Sequence, residues 1–101
     1  MDRRLQLQEM LENTLGSRNV YFQPPATIKI KYPCIVYHRA SLEQKYADNS
    51  TYLIKPRYEL TYISTSVDDL MVEKIASLPM CKHDRYYAAD SLHHDSFTIH
   101  Y

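Results

Sequence analysis

The chain has 101 residues, with 12 Lys and Arg against 12 Asp and Glu. That length holds one domain and one core. Zero net charge argues against a freestanding nucleic-acid-binding domain, which carries a basic excess to neutralise phosphates. A hydrophobic fraction of 45% argues against disorder, and a single glycine leaves little room for a phosphate-cradling loop.

Residues 2–15 predict a helix. Leu7, Met10, Leu11 and Leu15 fall on one stripe, with Gln8, Glu9 and Glu12 on the other face. Gly16 stands where a left-handed cap residue is wanted. Asn19 to Gln23 is a short apolar run stopped by Pro24 and Pro25. Thr27 to Tyr32 alternates strictly, with Ile28, Ile30 and Tyr32 on one side and Lys29 and Lys31 on the other. That pattern predicts a half-buried strand.

Cys34 to Tyr37 is apolar on both faces, as an interior strand would be. Residues 34–64 read as one long β-hairpin with its tip at Asp48-Asn49, since Asp and Asn tolerate turn geometry. Its distal part, about residues 40–55, is polar and basic and is expected to project. Ser66 to Asp69 opens a second helix over 66–78, with Ser66 as cap, a stripe of Val67, Met71, Ile75 and Leu78, and Pro79 as its stop. Cys81–Ala88 and Phe97–Tyr101 read as strands joined by a polar connection from Asp90 to Asp95. The order α-β-β-β-α-β-β predicts an α+β domain: a mainly antiparallel sheet with two helices on one face and a protruding hairpin.

The candidate chemistry is thin. Cys81, His83, Asp84, Asp90, His93, His94 and Asp95 all have metal-ligand chemistry, but their spacing fits no metal template. Adjacent His93 and His94 on a strand would point to opposite faces. Cys34 lies inside an apolar strand, and Cys81 with His83 lacks any oxyanion-hole element. Asp68 and Asp69 are explained by helix capping. No catalytic, cofactor or metal residue is assigned, and the chain is read as a non-enzyme. No apolar run follows Arg3-Arg4, so the expected place of synthesis is a cytoplasm, with both thiols reduced and no membrane span.

Ten tyrosines exceed what so small a core absorbs. Tyr is enriched at protein interfaces, so some of these rings should be contact residues. Charge is also uneven. Residues 26–57 carry six cations against two anions, and residues 66–101 carry six anions against three cations. Such a dipole suits head-to-tail packing of copies.

Several segments together resemble small head–tail junction proteins of long-tailed bacteriophages, described as tail-completion, tail-terminator or minor capsid (neck) proteins. They are Asn19-Val20-Tyr21-Phe22-Gln23-Pro24-Pro25 and Lys31-Tyr32-Pro33-Cys34-Ile35-Val36-Tyr37, then Ala47-Asp48-Asn49, Arg57-Tyr58 with Thr61, and Leu78-Pro79. The last are Asp84-Arg85-x-Tyr87, Ala89-Asp90 and His94-Asp95-x-Phe97. The resemblance covers residues 19–101; Ser91 and His93 depart from the Asn-rich form of the terminal motif. It implies a tail-terminator-like fold and a homo-oligomeric ring, a hexamer. That ring would cap the major tail tube protein, dock to a head-closure or neck protein, and let genomic DNA pass unread through its lumen. Location in the virion follows.

Two contact regions are expected on this reading. The basic hairpin supplies Arg39, Lys45, Tyr46, Asp48, Asn49, Tyr52, Lys55 and Arg57. The C-terminal segment supplies Asp90, His93, His94, Asp95 and Tyr101. Three alternatives stand beside it: a head-closure or adaptor protein on the portal side, a small metal- or Cys/His-dependent enzyme, and a nucleic-acid-binding module.

Overall fold

The structure, a computed structural model, describes residues 3–47, 50–66 and 70–101, and for 41–47 and 50–55 the backbone alone. The first helix, α1 (Arg3–Leu15), buries Leu7 and Leu11 completely and Leu15 nearly so. Gly16 ends it at φ +79°, its N–H bonded to the Glu12 carbonyl at 2.9 Å. A Cβ there would meet nothing within 4 Å, so the need for glycine is conformational, not steric. Gln8 is not on a solvated face, as the stripe pattern predicts. Its Nε2 donates to the Val20 carbonyl and to Glu12 Oε2, both at 2.9 Å, and its Oε1 accepts from the Tyr37 hydroxyl. A buried tyrosine needs a partner for its hydroxyl, and this amide supplies it while tying the helix to two strands.

Five strands form one mixed sheet in the order β1-β2-β3-β5-β4. β1 (Val20–Phe22) runs parallel to β2 (Cys34–Ala47), with Val20 opposite Ile35 and Phe22 opposite Tyr37. The connection between them contains the residues whose alternation predicts a strand, Thr27–Tyr32. They form none. Ile28 N–H closes a turn onto the Pro25 carbonyl at 3.2 Å, and Ile28 and Tyr32 are each 43% exposed. Alternation makes a strand only where an edge is free to pair. Here β1 and β3 occupy both sides of β2, and the segment, bracketed by Pro24, Pro25 and Pro33, does not pair with the outer edge of β1.

β2 pairs antiparallel with β3 (Ser50–Ser64) from Cys34 and Ile63 out to Ala47 and Ser50. The tip predicted at Asp48-Asn49 lies outside the described residues. β3 is central only from Arg57 onward, where β5 joins it with Arg57 opposite His100. Pro56 sits at that departure point, and its carbonyl accepts the Tyr101 N–H at 3.2 Å. A proline fits here because its missing N–H falls where the strand loses its second neighbour. Beyond it six residues of β3 pair with β2 alone, a ribbon of about 20 Å at strand rise. The chain measures 50 × 25 × 23 Å, and its radius of gyration of 14.7 Å exceeds the roughly 13 Å of a compact domain this long.

The second helix, α2, spans Met71–Ala76, not 66–78. Ser66 does not cap it: the N-cap is Leu70, without a side-chain bond, and Ser66 N–H is held by Ser64 Oγ at 3.0 Å. The strand-end turn therefore keeps Ser66 out of the helix. Val67, Asp68 and Asp69 lie outside the described residues. Ile75 is fully buried, with Met71 and Leu78 packed beside it.

β4 (Cys81–Ala89) and β5 (Leu92–His100) make a tight hairpin, with Ala89 opposite Leu92. The polar connection predicted over Asp90–Asp95 shrinks to the two residues Asp90 and Ser91, at φ +53° and +64°. Both central residues of the favoured two-residue turn need positive φ. Asp-Ser is a weaker signal for it than Asn-Gly, so the sequence hides the turn.

The core is one layer between the helices and one sheet face. Leu7, Leu11, Leu15 and Ile75 pack there on Ile35, Tyr37, Tyr58, Leu60, Tyr62, Phe97 and Ile99. Both helices therefore cover the same face.

Candidate functional site

The other sheet face carries no helix. Strand alternation that buries Tyr58, Leu60 and Tyr62 turns Arg57, Glu59 and Thr61 outward. Beside them stand His38 from β2, Ser96 and Thr98 from β5, and Asp84 and Arg85 from β4. His38 Nε2 lies 3.1 Å from a Glu59 carboxylate oxygen, and Arg57 Nη1 is 3.8 Å from the other. Thr98 Oγ1 donates to Asp84 Oδ2 at 2.6 Å. A shallow depression of about 250 Å³ runs between His38, Glu59, Asp84, Arg85 and Ser96. The His38–Glu59 pair is 51% and 44% exposed, so water screens it and gives it little strength. This face of the sheet is polar and open to water.

His93 and His94 do point to opposite faces. His93 stacks on Tyr86, whose hydroxyl meets its Nδ1, and His94 stacks on Tyr87 at 4.7 Å between centroids. The Arg85 guanidinium lies 5.0 Å from the same Tyr87 ring. His94 Nδ1 is buried with no hydrogen-bond partner among the described residues.

Asp95, expected in a surface connection, is inside β5 and 8% exposed, with Oδ1 3.0 Å from His83 Nε2. The pair braces β4 against β5 and leaves Asp95 little surface to offer a partner. Sequence reading missed it because a one-residue bulge between His83 and Arg85 sets which β4 side chains share its face.

The other expected contact residues are dispersed. Arg39 is exposed on β2, opposite Tyr58. Lys45, Tyr46, Tyr52 and Lys55 have their backbone on the distal ribbon, and Asp48 and Asn49 fall outside the described residues. Asp90 is on the β4–β5 turn. Tyr101 is half-buried beside Met10 and Met80, far along the sheet from Asp90. The structure thus places His93, His94 and Asp95 between the base of the hairpin, opposite Ser64, Ile63 and Tyr62, and the β4 residues His83, Tyr86 and Tyr87, away from the distal ribbon that holds Lys45, Tyr46, Tyr52 and Lys55.

Among the described residues no three His, Cys, Asp or Glu side chains converge to hold a metal ion, and no helix is long and apolar enough to cross a membrane. Both cysteines are free. Burial pushes each thiol from the usual 9.0 up to about 11, with Asp84 adding to the rise at Cys81. At pH 8 an ordinary thiol is roughly one-tenth thiolate and one at this value roughly one-thousandth. Neither cysteine is poised as a nucleophile.

Cys34, completely enclosed, also makes a pH prediction. Its folded value lies above its unfolded one, so its contribution is complete below pH 9 and lost as pH rises through about 11. Urea midpoints should fall between those limits more steeply for the native chain than for Cys34→Ala. Equal slopes would show that Cys34 does not report on folding.

No protein-family model matches the chain, and no curated protein does. What the fold defines is a small α+β protein with a mixed five-stranded sheet, two helices on one face, and a polar face left open.

Proposed function

We propose that this chain is a structural subunit of the head–tail junction of a long-tailed bacteriophage. It forms a ring, a hexamer, that terminates the tail tube and joins it to the neck of the filled head. The tail-tube protein and a neck protein are its partners, and DNA passes through without being read.

The observation that carries this reading is the β2–β3 ribbon. About six residues of each strand leave the sheet and pair only with each other. An isolated two-stranded ribbon is marginally stable in water and has no core of its own. Its strands hold Tyr46 and Tyr52, of the residue type enriched at partner surfaces, beside Lys45 and Lys55, whose charge can steer an acidic partner. A subunit that must grip its neighbours along a thin ring uses such an arm. The short peptides quoted above, spread over residues 19–101, support the same assignment.

Deleting the gene from its phage tests this directly. Electron micrographs should show filled heads and finished tails that stay apart, and supplying the chain in trans should restore joined particles. Joined, infectious particles from the deletion would overturn the reading.

A further inference from the structure

Thr27–Tyr32 has the side-chain pattern of a strand and pairs with no strand of its own sheet. Its Ile-Lys-Ile-Lys-Tyr alternation would bury one face in a ladder, yet Ile28 and Tyr32 stand 43% exposed. Apart from the Ile28 turn bond, its backbone is tied among the described residues by Lys31 N–H donating to the Tyr21 hydroxyl at 3.3 Å. At the opposite edge of the sheet, β4 pairs with β5 alone. From Lys82 to Ala89 its residues are all exposed. Edge strands are commonly guarded by charges and bulges. On β4 both guards sit in the first half: Lys82, Asp84, Arg85 and the bulge. The second half, Tyr86-Tyr87-Ala88-Ala89, carries neither.

We infer that Thr27–Tyr32 of one copy adds as a strand to the outer edge of β4, at Arg85–Ala89, in a second copy. The lengths match at about five residues each, and the main chain of each has hydrogen-bonding groups to offer the other. Tyr86 and Tyr87 project to opposite faces, at 48% and 36% exposure. An incoming strand therefore meets a ring on either side. One ring packs on Ile28, Ile30 and Tyr32, and the other faces the ammonium groups of Lys29 and Lys31.

Segment 27–32 joins β1, the strand at one end of the sheet order, to β2, whereas β4 is the strand at the other end. A chain cannot satisfy itself this way. The contact is head-to-tail, and repeated with rotation it closes a ring. Its place in a junction ring rests on the function proposed above; the pairing itself does not.

Two variants of the full chain test the pairing. Ile30→Pro removes an N–H that takes part in no hydrogen bond among the described residues, and proline holds Lys29 extended, so the monomer fold should be kept. By light scattering the native chain should form multimers and Ile30→Pro should remain monomeric with unchanged circular dichroism. The double variant Lys31→Cys/Ala88→Cys should give a ladder of disulfide-linked multimers on oxidation, where either single substitution stops at dimers. A native chain that is monomeric throughout its solubility range overturns the pairing, whatever the deletion phage shows. Multimers that survive Ile30→Pro and give no ladder also overturn it, and leave the junction reading standing on its own phage test.

Discussion

Lys45→Glu combined with Arg57→Glu should yield a folded domain that no longer joins heads to tails. Arg57 is 36% exposed and 3.8 Å from Glu59. Replacing a screened attraction by a screened repulsion at this exposed position costs on the order of 1 kcal/mol, so the melting temperature should fall by under about 10 °C and the domain should stay folded. The effect on assembly is larger. The segment 26–57 has a net charge of +4 and the segment 66–101 a net charge of −3. Placing like charges across a contact costs several kcal/mol, and every 1.4 kcal/mol is tenfold. The two reversals together should lower infectious titre about a hundredfold or more in complementation of the deletion phage. Lys45→Ala with Arg57→Ala should give a milder defect that deepens at high salt, since only attraction is lost. Wild-type titres from the double Glu variant would remove the hairpin from the contact.

Phe97→Ala should be the most damaging single change to the fold. Phe97 is 1% exposed on β5, opposite Leu60 on one side and His83 on the other. Its ring meets the His83 imidazole edge-on at 5.1 Å, and His83 in turn holds Asp95. Removing the ring opens a cavity in the one layer that unites helices and sheet. Such truncations cost about 3–5 kcal/mol, against a total stability of about 5–15 kcal/mol for a small domain. At about 4–8 °C per kcal/mol, the melting temperature should fall by more than about 12 °C. Tyr87→Ala, on the exposed edge, should change it far less. Thermal melts followed by circular dichroism decide the matter: a loss under about 1 kcal/mol for Phe97→Ala would mean that the core lies elsewhere.

How much of this was legible beforehand differs from element to element. Leu7, Leu11 and Leu15 repeat at helical spacing, and Gly16 marks the end; the helix needs nothing more. Tyr58, Leu60 and Tyr62 repeat at two, and that rhythm separates the buried face from the open one. The opposite orientation of His93 and His94 follows from the same rule. In each case the signal is a period, carried by neighbours in sequence.

Other features depend on partners far along the chain. Thr27–Tyr32 has a faultless strand rhythm, but it forms the link between two parallel strands and pairs with neither, so rhythm alone produces no strand. Asp95 looks like a loop acid until the Asp90-Ser91 turn and the β4 bulge bring His83 to its carboxylate. Gln8 reads as a solvent-facing residue until the Tyr37 hydroxyl, 29 positions away, requires an acceptor. The open polar face, with His38, Glu59, Asp84, Arg85 and Thr98 gathered on it, comes from four strands and has no signature in any one of them.

The sequence by itself thus determined the local periods, the cap at Gly16 and the long hairpin. Those follow from backbone geometry and side-chain chemistry within a few residues. Only the tertiary structure decided which edges are filled. Edge occupancy is a property of the whole sheet, and it leaves β4 open on one side and Thr27–Tyr32 without a ladder on the other.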